Sequence, residues 1–253
     1  MSEPARRVAG RALGAQLRGY TPARVGLGRT GVSLETRDLL DFQRAHARAR
    51  DAVHARLESA ALAGALSHIA GNQVLRLHSC AVDRATYLQR PDLGRKLEHG
   101  SRDLLARTAI PGGQTLALVV ADGLSALAVE RHAPTLVKEL WPLLDGWTVA
   151  PICVVEQGRV AIGDEIGLAL GAEIAVVLIG ERPGLSSPDS MGAYVTWEPR
   201  PGRTDAERNC ISNIRSEGLS PEQAAAQLAD TLTEARRRRL TGVALKTAVL
   251  EKG

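Results

Sequence analysis

Three short segments gather most of the side chains that could do chemistry together. They are Ala121-Asp122-Gly123, Val155-Glu156-Gln157-Gly158-Arg159 and Gly180-Glu181-Arg182-Pro183-Gly184. Each is polar, carries glycine and directly follows a short apolar run. In an open parallel sheet, loops and helix N-termini converge beyond the carboxyl ends of the strands, so ligands bind there. Spacing alone therefore makes these segments a ligand floor without naming the ligand. The common catalytic fingerprints are absent. No Gly-x-Gly-x-x-Gly follows a strand, and there is no Walker loop, Gly-x-Ser-x-Gly elbow or His-Glu-x-x-His pair. The six histidines lie outside the three segments. No catalytic residue and no metal ligand is assigned.

Two stretches are richer than a turn requires. Gly180 to Ser190 packs Gly, Pro and both charge signs behind an apolar run, and reads equally well as a tight surface loop with a local Glu–Arg pair. Thr204 to Ile214 mixes a helix start with Asn, Cys and Ser side chains. Its plainer reading is a capped helix with Cys210 as a small core hydrophobe.

The elements that must position these segments follow from periodicity. Thr115–Ala121, Val149–Val155 and Ile174–Ile179 are short apolar runs of the kind that form strands buried on both faces. A helix follows Asp122 to Leu140, and a shorter one spans Ile162 to Leu170. Alternating strands and helices predict right-handed crossovers and a parallel sheet flanked by helices, Rossmann-like in class. A last helix runs from Pro221 to Leu240 with Ser220 as its N-cap, and Arg236 to Arg239 complement its dipole at the C-terminal end. This α/β domain spans 111–253. Before it, residues 21–110 form a helical N-terminal region, and residues 1–20 a flexible N-terminus. In the helical region Leu39, Phe42, Ala45, Ala49, Ala52, Val53 and Leu57 recur at helical spacing behind Ser33 or Thr36 as N-cap. Residues 67–107 read as short mixed segments and turns.

Composition bounds the partners. Of 253 residues, 44 % are hydrophobic and 24 % charged, which suits a soluble globular chain. Aromatics are only 3 %, too few for a base-stacking platform, and the net charge of +4 is scattered, so no nucleic acid is expected. Three cysteines without metal or redox spacing point to a reducing cytosol. No apolar stretch is long enough to span a bilayer.

Four blocks carry a family resemblance: Thr21 to Gly31, Phe42 to Val53, Ile179 to Asp189 and Asp205 to Arg215. Together, and in that order, they resemble the small (light) subunit of ethanolamine ammonia-lyase, over nearly the whole chain from Tyr20 to Leu240. The resemblance implies a carbon–nitrogen lyase that converts ethanolamine to acetaldehyde and ammonia by radical chemistry on adenosylcobalamin (coenzyme B12). It also implies a catalytic large subunit as partner, in a hetero-oligomer of several large–small pairs with the cofactor between the subunits. Family cobalamin contacts carry over by motif to Val160, Glu181 and Cys210. Glu181 would accept hydrogen bonds from the cofactor's amides, with Arg182 as a nearby donor. Cys210 would offer a small apolar surface. The absence of an Asp-x-His-x-x-Gly run agrees with a cofactor that keeps its own base as lower cobalt ligand. The Arg-rich face of the helix from Glu35 to Leu57 is one candidate for the large-subunit interface. Related subunits begin with a longer N-terminal helix that directs the enzyme to a bacterial microcompartment. Only residues 1–20 precede the first block here, which suits a free cytoplasmic complex as well as an encapsulated one. Apart from the resemblance, the residues also fit a non-catalytic α/β binding or scaffold module for another ligand.

Overall fold

A computed structural model describes residues 13–14, 16–21, 23–108 and 115–245. Most of the expected flexible N-terminus, and the Pro111-Gly112-Gly113 boundary, lie outside the described residues. In chain order the elements are β1 (Arg29–Thr30), β2 (Ser33–Leu34), α1 (Thr36–His54), α2 (Ser59–Ala70), β3 (Val74–His78), α3 (Arg84–Gln89) and α4 (His99–Ala106). There follow β4 (Thr115–Ala121), α5 (Ala126–Leu140), β5 (Thr148–Val149), β6 (Ile152–Glu156), α6 (Ile162–Ala169), β7 (Ile174–Gly180), β8 (Met191–Trp197), β9 (Arg208–Ile214) and α7 (Pro221–Arg238). Two compact units result, one of residues up to Asp51 with Gly184–Pro188, the other of Ala52–Pro183 with the residues from Asp189 onward.

The larger unit is built on a sheet of order β3-β6-β4-β7-β8-β9, with β5 beside β4. β4 and β7 are apolar along their described length and buried, as strands covered on both faces must be. On one face α2, α5 and α7 bury Leu66, Leu136, Leu140 and Leu228 against Leu118, Val176 and Val195. On the other, α4 and α6 bury Leu105, Ile162 and Ile166 against Val119, Val155 and Val177. Helix starts follow their capping chemistry: Ser125 accepts from Ala128 N–H, and Ser220 and Gln223 form a reciprocal capping box at α7.

The sheet is mixed, which corrects the expectation of a parallel one. β3, β6, β4 and β7 run parallel, but β8 is antiparallel to β7 and β9 to β8. The reason lies in the connections. A parallel neighbour needs a crossover, usually a helix, whereas a return strand needs only a turn. The stretches 181–190 and 198–207 hold no α-helix, so the chain turns back on itself twice. The helical reading of Thr204 to Ile214 is overturned for the same region. Only Asp205–Glu207 makes a helical turn, capped by Thr204, and Arg208–Ile214 is a strand. β3 also arises inside the stretch that reads as mixed segments. His78 thus ends a strand, its Nδ1 donating to the Ser79 carbonyl at 2.7 Å.

In the smaller unit, β1 and β2 form a two-residue-deep hairpin ahead of α1. Asp38 accepts from Gly28 N–H at 3.3 Å, and Asp41 pairs with Arg24 and Arg44. Leu39, Leu40 and Phe42 of α1 are exposed despite their helical spacing. Among the described residues, neither apolar cluster draws on residues before Ala55.

Candidate cofactor-binding face

α5 follows β4 on one face and α6 follows β6 on the other, so the switch point of the sheet falls between the ends of these two neighbouring strands. That crevice is where an open α/β sheet ordinarily takes its ligand. Here the chain fills it. Asp122, buried, accepts from the backbone N–H groups of Gln157 and Gly158, both at 3.0 Å. Arg84 stands 3.5 Å from the same carboxylate and donates to the carbonyls of Gly123 and Val53 at 2.8 and 2.6 Å. Tyr87 donates to Gly158 O at 3.0 Å, and its ring lies 4.8 and 4.2 Å from the guanidinium carbons of Arg84 and Arg159. Burial pushes the Asp122 carboxyl up to about 6, and the same desolvation lowers the Arg84 guanidinium. Two of the three strand-end segments therefore close a plug. They form no ligand floor.

The third segment is tied to the first at Gly180, whose carbonyl accepts Leu124 N–H at 2.9 Å. Glu181 directly follows β7 and is half-buried. Ser190 Oγ donates to its Oε2 at 2.5 Å, and Asn213 N–H approaches the same oxygen at 3.4 Å. Among the described residues no hydrogen bond or ion pair runs from Arg182 to Glu181, so Ser190 is the donor that the sequence reading assigned to Arg182.

Register brings Cys210 to the same side of the sheet as the residues next to Glu181. Val177, Tyr194 and Cys210 stand abreast across β7, β8 and β9. Side chains paired across strands share a face, and this one is the face that α6 covers. α6 packs on β4 and β7; Gly163 sits so close to Val177 that a Cβ would collide with it. Beyond α6, Tyr194 is half-buried and Cys210 is exposed. Cys210 is thus no core hydrophobe, and its side chain is hydrogen-bonded with that of Tyr194, whose phenol burial pushes up.

Val160 leads into α6, half-buried against the same apolar cluster that Tyr194 borders. It lines a cleft of about 910 Å³ shared with Asp164 and the turn at Gly202–Asp205. One interaction that sequence reasoning missed ties these parts together. Arg208 forms a two-pronged ion pair with Asp164, both contacts at 2.7 Å and both side chains almost fully buried. Arg208 also donates to Thr196 Oγ1 at 2.8 Å and to Arg203 O at 3.0 Å. The pair joins the first turn of α6, just after Val160, to β9 two residues before Cys210. The only sequence signal was an acid in a helix's first turn and a lone Arg ahead of Asn-Cys, 44 residues apart.

The class this defines is an α/β protein whose strand-end crevice is closed and which holds a half-buried carboxylate where the antiparallel part of its sheet begins. Residues 12–246 match the family model described as ethanolamine ammonia-lyase light chain (EutC). An ethanolamine ammonia-lyase small subunit of Pseudomonas fluorescens (strain Pf0-1) is 58 % identical over 235 residues, covering 91 % of this chain and 85 % of that protein. One from Ralstonia nicotianae is 58 % identical over 236 residues, covering 92 % and 87 %. One from Pseudomonas aeruginosa (strain LESB58) is 57 % identical over 234 residues, covering 91 % and 85 %. The chain belongs to the ethanolamine ammonia-lyase light-chain family and is a component of that lyase. Among the described residues no helix is long and apolar enough to cross a membrane.

Proposed function

We propose that this chain supplies one wall of an adenosylcobalamin site that it shares with the large subunit of ethanolamine ammonia-lyase. The observation that carries the reading is the corner around Glu181. Its hydrogen bonds from this chain fall on Oε2, and a glycine, Gly192, stands where a side chain would crowd Oε1. An anionic acceptor whose second oxygen takes no hydrogen bond among the described residues suits the neutral amides on the rim of a corrin. Those amides bring donors but no countercharge, so the carboxylate needs its own support from Ser190. Val160, Tyr194 and Cys210 would supply apolar contacts to the hydrocarbon body of such a group, and the cleft beside Val160 is otherwise lined mostly by charged side chains such as Arg102, Arg159 and Arg203. When bound, the cofactor would supply the radical that starts deamination of ethanolamine to acetaldehyde and ammonia. This chain's residues would bind and orient it and keep water away from the covered part. Several large–small pairs assembled together, in the cytoplasm or within a microcompartment, complete the proposal.

The test is the complex reconstituted with the large subunit. Glu181→Gln keeps the shape and removes the charge. It is expected to lower retained cobalamin, read from the visible spectrum after gel filtration, by about tenfold in affinity, the worth of a charged hydrogen bond. The unfolding temperature should stay close to wild type. Unchanged retention would remove Glu181 from the site.

A further inference from the structure

The corner that holds Glu181 is more elaborately built than a strand end requires. β8 and β9 pair regularly from Thr196↔Arg208 to Ala193↔Ile211, then jump to Met191↔Ile214. Ser212 and Asn213 together therefore face the single residue Gly192, a β-bulge. Asn213 takes a left-handed φ of 59°, a region that Asn enters more readily than other side-chain-bearing residues, and its N–H lies 3.4 Å from Glu181 Oε2. Bulges of this kind re-aim groups beside functional sites, and strained backbone gathers there. Just before β8 begins, Ser190, itself buried, delivers its hydroxyl to the same oxygen, and its carbonyl accepts Glu181 N–H at 2.9 Å. Gly192 is the third part. A Cβ there would stand 3.0 Å from Glu181 Oε1 and 3.0 Å from the Tyr194 ring.

We infer that Ser190, Gly192 and the Asn213 bulge form a positioning clamp that pins Glu181 by Oε2 and keeps Oε1 open as an acceptor for an amide N–H. The inference rests on the cofactor reading above and assigns three further residues to it. Ser190 and Asn213 act through Glu181, and Gly192 acts by leaving space. Without the serine, the carboxylate would be free to rotate and to turn its oxygens back toward protein donors. Without the glycine, the slot before Oε1 would close while Glu181 stayed intact.

The experiment is a double-mutant cycle in the reconstituted complex, read as affinity for added cyanocobalamin by its visible spectrum. The variants are Ser190→Ala, Glu181→Ala and the two combined, with Ser190→Thr and Gly192→Ala beside them. Glu181→Ala tests the cofactor reading alone; if it binds as wild type does, that reading falls. Given a loss there, Ser190→Ala should weaken binding about tenfold in the wild-type background and hardly at all with Glu181→Ala, because it works through that residue. Ser190→Thr should restore binding, which a merely structural serine would not predict. Gly192→Ala should approach the Glu181→Ala loss. Equal losses from Ser190→Ala in both backgrounds would overturn the clamp, as would full binding by Gly192→Ala. Should Ser190→Ala fail to assemble with the large subunit, the Gly192→Ala comparison decides the matter by itself.

Discussion

A carboxylate held beneath two backbone N–H groups and an arginine has little left to offer a ligand, and Asp122 is in that position. Its chemistry is turned inward, toward closing the ends of β4 and β6. Burial raises its folded-state value to about 6 from an ordinary 3.8. The folded protein therefore holds a proton that the unfolded chain has released between those values. The stabilisation linked to that proton is fully present below the unfolded value and is lost as pH rises through the folded one. Asp122→Asn cannot titrate, so comparing it with wild type isolates the group. The difference in unfolding temperature should favour wild type most near about pH 4 and decline toward about pH 7. A difference that stays level over this interval would show that the carboxyl is not shifted. Glu181, at the end of β7, differs in that its side-chain hydrogen bonds among the described residues fall on one oxygen. A carboxylate thus serves structure at one strand end and, in the function proposed above, recognition at its neighbour.

At the scale of elements, what periodicity could reveal was set by how each piece is held. β4, β6, β7, α5 and α7 carry their own signals: apolar runs, Ser caps and a proline at the first helical position. β8 and β9 do not. Met191–Trp197 and Arg208–Ile214 pair antiparallel after helix-free connections, and in β9 the exposed Cys210, Ser212 and Asn213 break the apolar run. Leu39 and Phe42 mislead in the opposite sense, since their helical spacing meets no core among the described residues. Of the candidate site, only the Glu181 segment drew notice in the residues themselves, as a polar, glycine-bearing strand end that reads equally well as a tight turn. Val160 and Cys210 came from resemblance, and Ser190, Gly192 and Asn213 depend on register that no local pattern encodes. The Asp164–Arg208 pair is of that long-range kind, and it sets α6 against β9. Asp164→Asn removes the two-pronged countercharge of a buried guanidinium and leaves only the exposed Asp205 at 3.7 Å. It should cost about 3–5 kcal/mol in urea unfolding, whereas replacing both partners by apolar residues of similar volume should cost much less. Equal costs for the single and double changes would mean that the pair is not what joins the two elements.

Taken as a whole molecule, the chain has its polar groups committed to building. Asp122, Arg84 and Tyr87 close the switch-point crevice, Asp164 and Arg208 fasten helix to sheet, and Ser190 steadies Glu181. Removing hydrogen from the carbon beside an amine or hydroxyl needs a strong radical or a strong base, and a carboxylate such as Glu181 is too weak a base for that bond. Glu181 is pinned by one oxygen; Tyr194 has a phenol raised by burial, and that disfavours its anion. A half-site of this kind should bind without turning over. The purified chain supplied with adenosylcobalamin and ethanolamine is therefore expected to release no acetaldehyde, measured by coupling to alcohol dehydrogenase and following NADH. Adding the large subunit to the same mixture should start NADH consumption, and withholding adenosylcobalamin should stop it. Turnover by the chain alone would place a complete catalytic set inside it, and the division of labour argued from its committed polar groups would be wrong.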